Sequence, residues 1–316
     1  MTEIKKICVL SENLSYLKNK WICDVFKEEF ELYCTKCLIT NNQEDADVIW
    51  LLAPWNTKQI NKKNINKKYV VTTIHHIDQD KHEENKKYYD YVDSITTKYH
   101  VICEKVKIDL QKITNKAIIV ANFWINEKIF FNISDKANLR KKYNIPINML
   151  VIGSFQRDTE GKDPNLPKLS KGPDVLINIL CDMKNKCKNP FVVLTGWRRT
   201  YIINKLTEHK IPYIYNELVN PDELNELYNT LDLYIVSSRV EGGPRSIMEC
   251  GLAKIPIIST DVGIADIILN NKSIYNVNNF LTYECAKSDI EYAYDKSHKY
   301  TISNYMQEFE EKLFNY

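Results

Sequence analysis

The strongest constraint on the fold of this chain is an alternation of short apolar runs with longer amphipathic segments. The runs are rich in β-branched residues, and in the first part of the chain they are KICVL (6–10), DVIWLL (47–52), YVVTTI (69–74), HVICE (100–104) and AIIVA (117–121). A second series comprises MLVIGS (149–154), FVVLTG (191–196), LDLYIVSS (231–238), IPIIST (255–260) and SIYNV (273–277). Helical patterns lie between members of the second series, at 173–186, 221–230 and 244–253. Because parallel strands need crossover connections, usually helices, the alternation predicts an α/β fold with parallel sheets.

Length and the two series of runs together predict two domains. With 316 residues, the chain is long enough for two domains of ordinary size. We place the N-terminal domain at 1–125 and the second domain at 126–300, with the boundary inside the polar segment 122–148. The charged amphipathic pattern near the end predicts a helix over 301–316, and one arrangement for it is a return to the N-terminal domain.

Composition and run lengths argue against several classes of protein. The longest apolar stretch, around 49–55, is far shorter than the roughly 18 residues that a membrane-spanning helix needs. The amino terminus has an apolar run too short for a secretory signal, so we expect a cytoplasmic protein. Nine cysteines, with Cys34 and Cys37 as the one C-x-x-C pair, favour reduced thiols over disulfides or zinc. A net charge of +2, with lysines among acidic residues, gives no indication of nucleic-acid binding.

Glycine and arginine are distributed unevenly along the chain. All eight glycines lie beyond residue 152, and so do five of the six arginines, at 157, 198, 199, 239 and 245. Glycine lets a backbone approach a ligand closely, and the arginine fork grips a phosphate at two points. The pattern favours an anion-binding second domain. The alternative is that genome composition makes both residue types rare and that the positions of the remaining ones are due to chance.

The stretch EGGPRSIME runs from Glu241 to Glu249, directly after the LDLYIVSS run. Pro244 suits the first position of a helix, so the loop before it lies at the carboxyl end of a strand, where open parallel sheets bind ligands. The amides of Gly242, Gly243 and the first helical turn would then face a negative charge. Each carboxylate is a two-oxygen acceptor that suits paired hydroxyls. A diphosphate flanked by hydroxyls describes a nucleotide sugar.

At this point the sequence resembles a known family. Residues 241–263, EGGPRSIMECGLAKIPIISTDVG, are similar to the E-x7-E signature of the retaining glycosyltransferases of family 4. Looser similarity extends to 151–177, 194–197 and 120–130, and the resemblance covers most of the chain from about residue 69 onward. It implies the GT-B fold, in which two Rossmann-like domains have parallel sheets facing across a cleft.

The resemblance also implies roles for individual residues. Glu241 would contact the hydroxyls of the donor sugar, and Glu249 the ribose of the nucleotide. Arg157 and Lys171 would hold the diphosphate and stabilise it as it leaves. His75, at the end of a predicted strand, resembles the family histidine that reaches the donor sugar.

Further residues belong to the implied donor site, and the implied chemistry needs no metal. In such enzymes the leaving phosphate is thought to help deprotonate the acceptor on the same face, which retains the configuration. We therefore expect no metal or other cofactor. The remaining donor-binding candidates are Gly242, Gly243, Pro244, Arg245, Gly153 and Gly196.

The sequence departs from the family pattern in two places. Arg157 and Lys171 are 14 positions apart, farther than is usual, and Lys162 and Lys168 lie between them as alternatives for the lysine. The glycine loop that follows the first strand in the family is missing, since SENLSYLKNK (11–20) contains no glycine. The acceptor side is therefore undefined.

Several residues keep a second interpretation. His75, or its neighbour His76, could instead cap a strand or bond to a carbonyl. Asp78 and Asp80 form a D-x-D, a pattern typical of metal-dependent GT-A enzymes but common by chance in a charged segment.

Two basic positions are equally open. Arg245 belongs either to the anion site or to the surface, where Glu241 or Asp266 could pair with it. The run from Trp197 to Arg199 either contacts the nucleotide or forms the solvated start of a helix.

The predicted function is a retaining, metal-independent hexosyltransferase. We favour a UDP-sugar donor over a GDP-sugar, and the acceptor is a glycan or another hydroxyl compound. Two alternatives stay open: a GT-B-like sugar-nucleotide 2-epimerase, which needs no second substrate, and a non-catalytic sugar-nucleotide binder.

Overall fold

The structure is a computed structural model that describes residues 4–11, 22–61, 68–77, 85–161, 163 and 165–314. The chain divides into two compact units. Unit 1 comprises Met1–Trp124 and Tyr300–Tyr316, and unit 2 comprises Ile125–Lys299. No helix within the described ranges is long and apolar enough to cross a membrane.

Unit 1 is built on a six-stranded parallel sheet with the order β2-β1-β3-β4-β5-β6. The strands are β1 (Lys6–Leu10), β2 (Leu38–Ile39), β3 (Val48–Leu51), β4 (Tyr69–Ile74), β5 (Lys98–Val101) and β6 (Ile118–Val120). The helices of unit 1 are α1 (Ile22–Tyr33), α2 (Lys86–Ile95), α3 (Glu104–Leu110) and, from the end of the chain, α11 (Ile302–Phe314). A 3-10 helix, Pro54–Gln59, follows β3.

An aromatic cluster fills the core of unit 1. Trp50 of β3 is fully buried and its ring lies 5.7 Å from Phe309 and 5.6 Å from Phe314, both on α11. The indole N–H of Trp50 donates to the Thr73 hydroxyl at 2.9 Å, and that hydroxyl donates to His100 Nδ1 at 2.9 Å. His100 Nε2 donates in turn to the Ala121 carbonyl at 2.7 Å. Burial lowers the pKa of His100 to about 4, so the ring is neutral in this network.

Helix α11 is held to unit 1 by a buried carboxylate as well as by its aromatic side chains. Glu310, which is 1% exposed, accepts from the backbone amides of Thr35 at 2.9 Å and Lys36 at 2.7 Å. The amphipathic pattern at the end of the chain correctly predicted a helix there.

Unit 2 contains a second six-stranded parallel sheet, with the order β12-β11-β10-β7-β8-β9. Its strands are β7 (Leu150–Ser154), β8 (Pro190–Thr195), β9 (Tyr213–Asn216), β10 (Leu233–Val236), β11 (Ile257–Thr260) and β12 (Ile274–Tyr275). Its helices are α4 (Lys136–Lys142), α5 (Pro173–Asn185), α6 (Thr200–Glu208), α7 (Pro221–Asn229), α8 (Arg245–Leu252), α9 (Ala265–Ile268) and α10 (Ile290–His298).

The strand order of unit 2 reverses direction between β7 and β10. From β7 the chain adds β8 and β9 on one side, and then returns to add β10, β11 and β12 on the other. The loops after β7 and β10 therefore leave the sheet side by side at its carboxyl edge, which is where doubly wound folds bind ligands.

All ten strands predicted from the sequence are present, with ends that differ by a few residues. Two strands were not predicted. β2 is only two residues long, Leu38–Ile39, and β9 is the edge strand Tyr213–Asn216, whose residues are all partly exposed.

Candidate active site

The loops after β7 and β10 meet through an ion pair. Lys171 Nζ lies 2.6 Å from Glu241 Oε1, and the two side chains are only 17% and 13% exposed. Ser238, also in the loop after β10, has its hydroxyl 3.0 Å from the same carboxylate oxygen. The structure thus brings together two of the residues predicted to act on the donor.

Tight backbone contacts fix the segment that carries Lys171. Gly172 has a φ of 60°, and a Cβ at this position would lie 1.8 Å from the carbonyl oxygen of Ser237. The carbonyl of Ser170 accepts from the amides of Arg239 at 2.8 Å and Val240 at 3.0 Å. The segment is therefore pressed against the end of β10 with no room for a side chain at residue 172.

Arg239 fastens the same segment through its side chain. Its guanidinium donates to both carboxylate oxygens of Asp174, at 2.8 and 2.6 Å, and to the Leu169 carbonyl at 2.9 Å. Asp174 lies in the first turn of α5, so Arg239 joins the β10 loop to the start of that helix. Arginine here has a positioning role that the sequence did not indicate.

The glycine loop of EGGPRSIME is supported from behind by the turn after β11. Gly263 has a φ of 51°, and a Cβ there would lie 2.3 Å from the carbonyl oxygen of Gly242. Pro244 was predicted to be the first helical residue, but it is the N-cap, with a ψ of 109°, and α8 begins at Arg245. Gly243 and Gly242 lie two and three positions before the first residue of that helix.

Glu249 lies on α8 and is 7% exposed. Its Oε2 accepts from the hydroxyl of Tyr228 at 2.6 Å, and Arg245 Nε is 3.3 Å from its Oε1. The sequence had suggested Glu241 or Asp266 as partners for Arg245, and it did not anticipate the pair with Glu249 one turn along the helix. Burial, and then the Glu249 charge, raise the pKa of Tyr228.

Arg157 lies in the loop after β7 and is half-buried. Its Nε donates to the Thr159 carbonyl at 3.0 Å. The next residue, Asp158, is almost fully buried and its Oδ2 accepts from Arg199 Nε at 2.5 Å. Its carbonyl accepts from the amide of Lys168 at 2.7 Å, so Asp158 connects the Arg157 loop to the segment that leads to Lys171.

The burial of Arg199 contradicts what the sequence predicted for it. It was expected either to contact a nucleotide or to be solvated, but its side chain is completely buried. Besides Asp158, it donates to the carbonyls of Ser154 at 2.5 Å and Thr195 at 2.7 Å, at the carboxyl ends of β7 and β8. Both earlier interpretations of Arg199 are wrong, and its visible function is to tie these strand ends to the Arg157 loop.

Two glycines of the predicted donor set have local structural explanations. A Cβ on Gly153 would lie 2.2 Å from Leu231 Cδ1 and 2.9 Å from Tyr234 Cδ2, so close packing in the sheet requires glycine. Gly196 has a φ of 92°, and its carbonyl accepts from the hydroxyl of Tyr215 at 2.9 Å. Donor binding by either residue stays a prediction.

His75 follows β4 in unit 1 and is partly buried. Its Nε2 donates to the Leu52 carbonyl at 2.7 Å, and its ring stacks on Phe123 with centroids 5.8 Å apart. Burial lowers the pKa of His75 to about 4. Because Nε2 carries the proton, Nδ1 of the neutral ring is an acceptor. One ring nitrogen thus bonds to a carbonyl, as the alternative interpretation supposed.

The remaining candidates are placed as follows. Asp78, Asp80 and Lys162 lie outside the described residues. Lys168 forms an ion pair with Glu160 at 3.7 Å, so of the two described candidate lysines it is Lys171 that meets Glu241.

Sequence reasoning overlooked residues whose side chains bridge the two loops. Gln156 donates from Nε2 to the Lys171 carbonyl at 2.7 Å, and its Oε1 lies 3.1 Å from the Ser238 hydroxyl. Gln156 immediately precedes Arg157, and Ser238 ends the LDLYIVSS run, so adjacency to predicted site residues was the available signal.

Part of unit 2 matches a family model. Residues 165–288, less than half of the chain, match the model described as Glycosyl transferases group 1. The sequence has no significant match among curated proteins.

Solved structures resemble the whole chain at low sequence identity. HepE of Anabaena in complex with UDP-glucose aligns with a TM-score of 0.75 and 14% identity over 98% of this chain and 99% of HepE. The chain has the GT-B fold. A glycosyltransferase from Rickettsia africae aligns with a TM-score of 0.64 and 18% identity over 100% of both chains. Sucrose-phosphate synthase from Thermosynechococcus elongatus aligns with a TM-score of 0.61 and 13% identity over 86% of this chain and 71% of the synthase.

The predicted fold class, GT-B with two parallel α/β sheets, is therefore confirmed. The family match and the fold together support a glycosyltransferase.

Proposed function

We propose that this protein is a retaining glycosyltransferase that moves a hexose from a nucleotide-diphosphate sugar to a hydroxyl acceptor. The observation that carries the proposal is the Lys171–Glu241 ion pair at the switch point of the unit 2 sheet. The pair joins a cation, the type of group that suits a phosphate, to a carboxylate, the type of group that suits paired hydroxyls. The complexes of HepE with UDP-glucose, and with UDP and glucose, support a UDP-sugar as donor.

The diphosphate would be bound by charges and amides that are already in position. Lys171 has three N–H donors, and the bond to Glu241 occupies one of them. Arg157 uses Nε for its own loop, which leaves the two terminal nitrogens to form the fork that suits a phosphate. The amides of Gly242 and Gly243 would add neutral donors. Such preorganised groups stabilise the charge that develops on the leaving diphosphate.

The two glutamates would bind the two sugars of the donor. In the proposal, Glu241 accepts from the hydroxyls of the hexose and Glu249 from those of the ribose. Glu249 already contacts Tyr228 and Arg245, and as a carboxylate it is an acceptor with two oxygens. Those contacts also fix the rotamer of Glu249 before a nucleotide binds.

The reaction we propose is a same-face displacement. The bond between C1 of the hexose and the diphosphate oxygen breaks, and the acceptor oxygen forms a new bond to C1 from the same side. The acceptor proton passes to the departing phosphate oxygen, so neither a protein base nor a metal takes part. The family resemblance assigns His75 a role toward the donor sugar. Its role and the cytoplasmic location remain predictions from the sequence.

Incubation with UDP-, GDP- and ADP-sugars, with and without a panel of sugar acceptors, tests the proposal. We expect acceptor-dependent release of the nucleoside diphosphate and a product whose anomeric configuration, measured by NMR, equals that of the donor. An inverted product would disprove the retaining mechanism. Epimerised sugar formed without an acceptor would favour the 2-epimerase, and binding with no turnover at all would favour a non-catalytic binder.

A further inference from the structure

The six arginines of the chain fall into two groups by their charge partners. Four form ion pairs with carboxylates. The pairs are Arg140–Asp232 at 2.7 Å, Arg199–Asp158 at 2.5 Å, Arg239–Asp174 at 2.6 Å and Arg245–Glu249 at 3.3 Å. Arg157 and Arg198 are the exceptions, because neither forms an ion pair with any carboxylate of the described residues.

The two exceptional arginines are neighbours in space. The amides of Asp158 and Thr159 donate to the carbonyl of Arg198 at 3.3 and 3.2 Å, and Arg157 Nε donates to the carbonyl of Thr159 at 3.0 Å. These bonds join the loop after β7 to the loop after β8. Both arginines are partly buried at the carboxyl edge of the sheet.

Within the part of the chain that the structure describes, this pair of charges has no carboxylate in ion-pair contact. Burial lowers the pKa of Arg157, and the charge of Arg198 lowers it further. Glu160 acts in the opposite direction more weakly, and its carboxylate lies 3.7 Å from Lys168. Two like charges kept together and partly desolvated are unfavourable by themselves, and an anion between them reverses the sign of the interaction.

The backbone and the ring beside it hold Arg198 in one orientation. Its φ of 58° is uncommon for a residue other than glycine and costs energy that the rest of the structure must offset. Its guanidinium carbon lies 4.4 Å from the centroid of the Trp197 ring, which is a cation–π contact. Trp197 itself is 48% exposed. The guanidinium of Arg198 therefore packs on a ring and pairs with none of the described carboxylates.

We propose that Arg198 acts with Arg157 as a second guanidinium of the diphosphate site. The ligand class is a diphosphate ester, and within the proposed function, on which this inference rests, it is the nucleoside diphosphate of the donor. Two forks can each donate twice to phosphate oxygens, so the pair fits a group that carries several negative charges.

Binding measurements on single variants test this assignment. We would titrate uridine, UMP, UDP and inorganic pyrophosphate by calorimetry into the wild-type chain and into Arg198→Gln, Arg157→Gln and Lys210→Gln. Lys210 is a matched control, because it is an exposed cation of unit 2 that also has a left-handed φ, of 51°. We expect both arginine variants to weaken UDP and pyrophosphate at least about tenfold, as loss of a charge-assisted hydrogen bond does, with uridine and Lys210→Gln unaffected.

Each other outcome has a distinct meaning. If Arg157→Gln weakens UDP and Arg198→Gln does not, the inference is wrong and the proposed function stands. Equal weakening of uridine, UMP and UDP by Arg198→Gln would place its effect at the nucleoside and also overturn the inference. If pyrophosphate binds in an Arg198-dependent way but no nucleotide sugar is turned over, the diphosphate site stands and the transferase proposal fails. A wild-type chain that binds neither UDP nor pyrophosphate would overturn the inference.

Discussion

Unit 1 and unit 2 each contain a six-stranded parallel sheet in the described residues, yet all eight glycines and all six arginines of the chain lie in unit 2. Unit 1 therefore shows that this sheet architecture requires neither residue type. In unit 2, Gly153, Gly172, Gly251 and Gly263 occupy positions where a Cβ would meet other atoms at less than 3 Å. Gly153 lies in strand β7 and the other three lie in loops or a helix, so the difference teaches that glycine serves close packing specific to unit 2 rather than the sheet architecture in general.

The polar interiors of the two units differ in the same direction. Unit 1 buries a chain of neutral groups, from Trp50 through Thr73 to His100. Its buried carboxylates, Glu29 and Glu310, accept from neutral donors, an indole N–H and backbone amides. Unit 2 instead buries ion pairs, with Asp158 paired to Arg199 at the strand ends and Glu249 paired to Arg245. Buried charges need partners with good geometry, and their concentration around the switch point accords with an electrostatic task there.

The largest effect that tests this contrast is expected from Gly172→Ala. The added Cβ would lie 1.8 Å from the Ser237 carbonyl oxygen in a backbone with φ 60°. Strain and overpacking together should lower the free energy of unfolding by about 2–5 kcal/mol. Gly161→Ala is the control, since its φ is 54° but no atom lies within 4 Å of its Cβ position. Urea unfolding of both variants is the measurement, and equal losses would show that conformation alone, not close approach, demands glycine.

Next in size is the loss of turnover from Lys171→Gln. Removing one preorganised donor from a developing negative charge should lower kcat by roughly 10²–10³-fold. Lys168→Gln is the matched control, because Lys168 lies on the same segment, has a side chain of similar exposure, 22% against 17%, and pairs with Glu160 instead. If the two variants lose activity equally, charge on the segment matters and the specific Lys171–Glu241 pair does not.

A smaller effect, on binding alone, is expected at Glu249. Glu249→Gln should weaken nucleoside diphosphate binding by about 1.5–3 kcal/mol, the range for hydrogen bonds to a charged group. Tyr228→Phe removes only the 2.6 Å bond that fixes the carboxylate, so it should weaken binding less. The measurement is the calorimetric affinity of both variants for a nucleoside diphosphate. If folded Glu249→Gln binds with unchanged affinity, Glu249 does not bind the ribose.

The smallest effect, counted per histidine and per pH unit, should appear in unit 1 as a dependence of its stability on pH. Burial lowers the pKa of His75 and His100 from 6.5 to about 4. Protonation therefore favours the unfolded state, and the stability these rings contribute is complete above pH 6.5 and is lost as pH falls toward 4. Each histidine should cost about 1.4 kcal/mol per pH unit in that window. Amide hydrogen exchange resolved by unit is the measurement, and a loss at acidic pH confined to unit 2 would contradict the assignment.

How much the sequence could predict depended on whether a feature is local. The β-branched runs and EGGPRSIME are continuous in the chain, and they led to all ten predicted strands, helix α8 and the residues at the switch point. β9 was missed because its residues YIYN do not form an apolar run, and β2 because two residues carry no periodicity. The assignment of Lys171 and Glu241 to one donor site did not come from the sequence pattern. It came only from the family resemblance.

Pairings across long separations could not be predicted. Arg198 and Arg199 are adjacent and of the same type, so the sequence does not distinguish them. Arg199 is buried because it bonds to Asp158, 41 positions earlier, and to carbonyls at two strand ends. Arg245 turned to Glu249 on its own helix, at a spacing of four residues that the sequence does display. That pair could have been proposed from helical periodicity, whereas the burial of Arg199 depends on tertiary packing.

Helix α11 follows unit 2 along the chain but supplies Phe309 and Phe314 to the aromatic cluster around Trp50. During synthesis, the sheet of unit 1 is made first. The core of unit 1 stays incomplete until α11, which follows unit 2 in the chain, has left the ribosome. Unit 2, Ile125–Lys299, is continuous and can fold as soon as it emerges. The nascent chain should therefore carry a finished unit 2 while unit 1 still exposes apolar surface, so we expect unit 1 to be the part of the new chain that proteases cleave first.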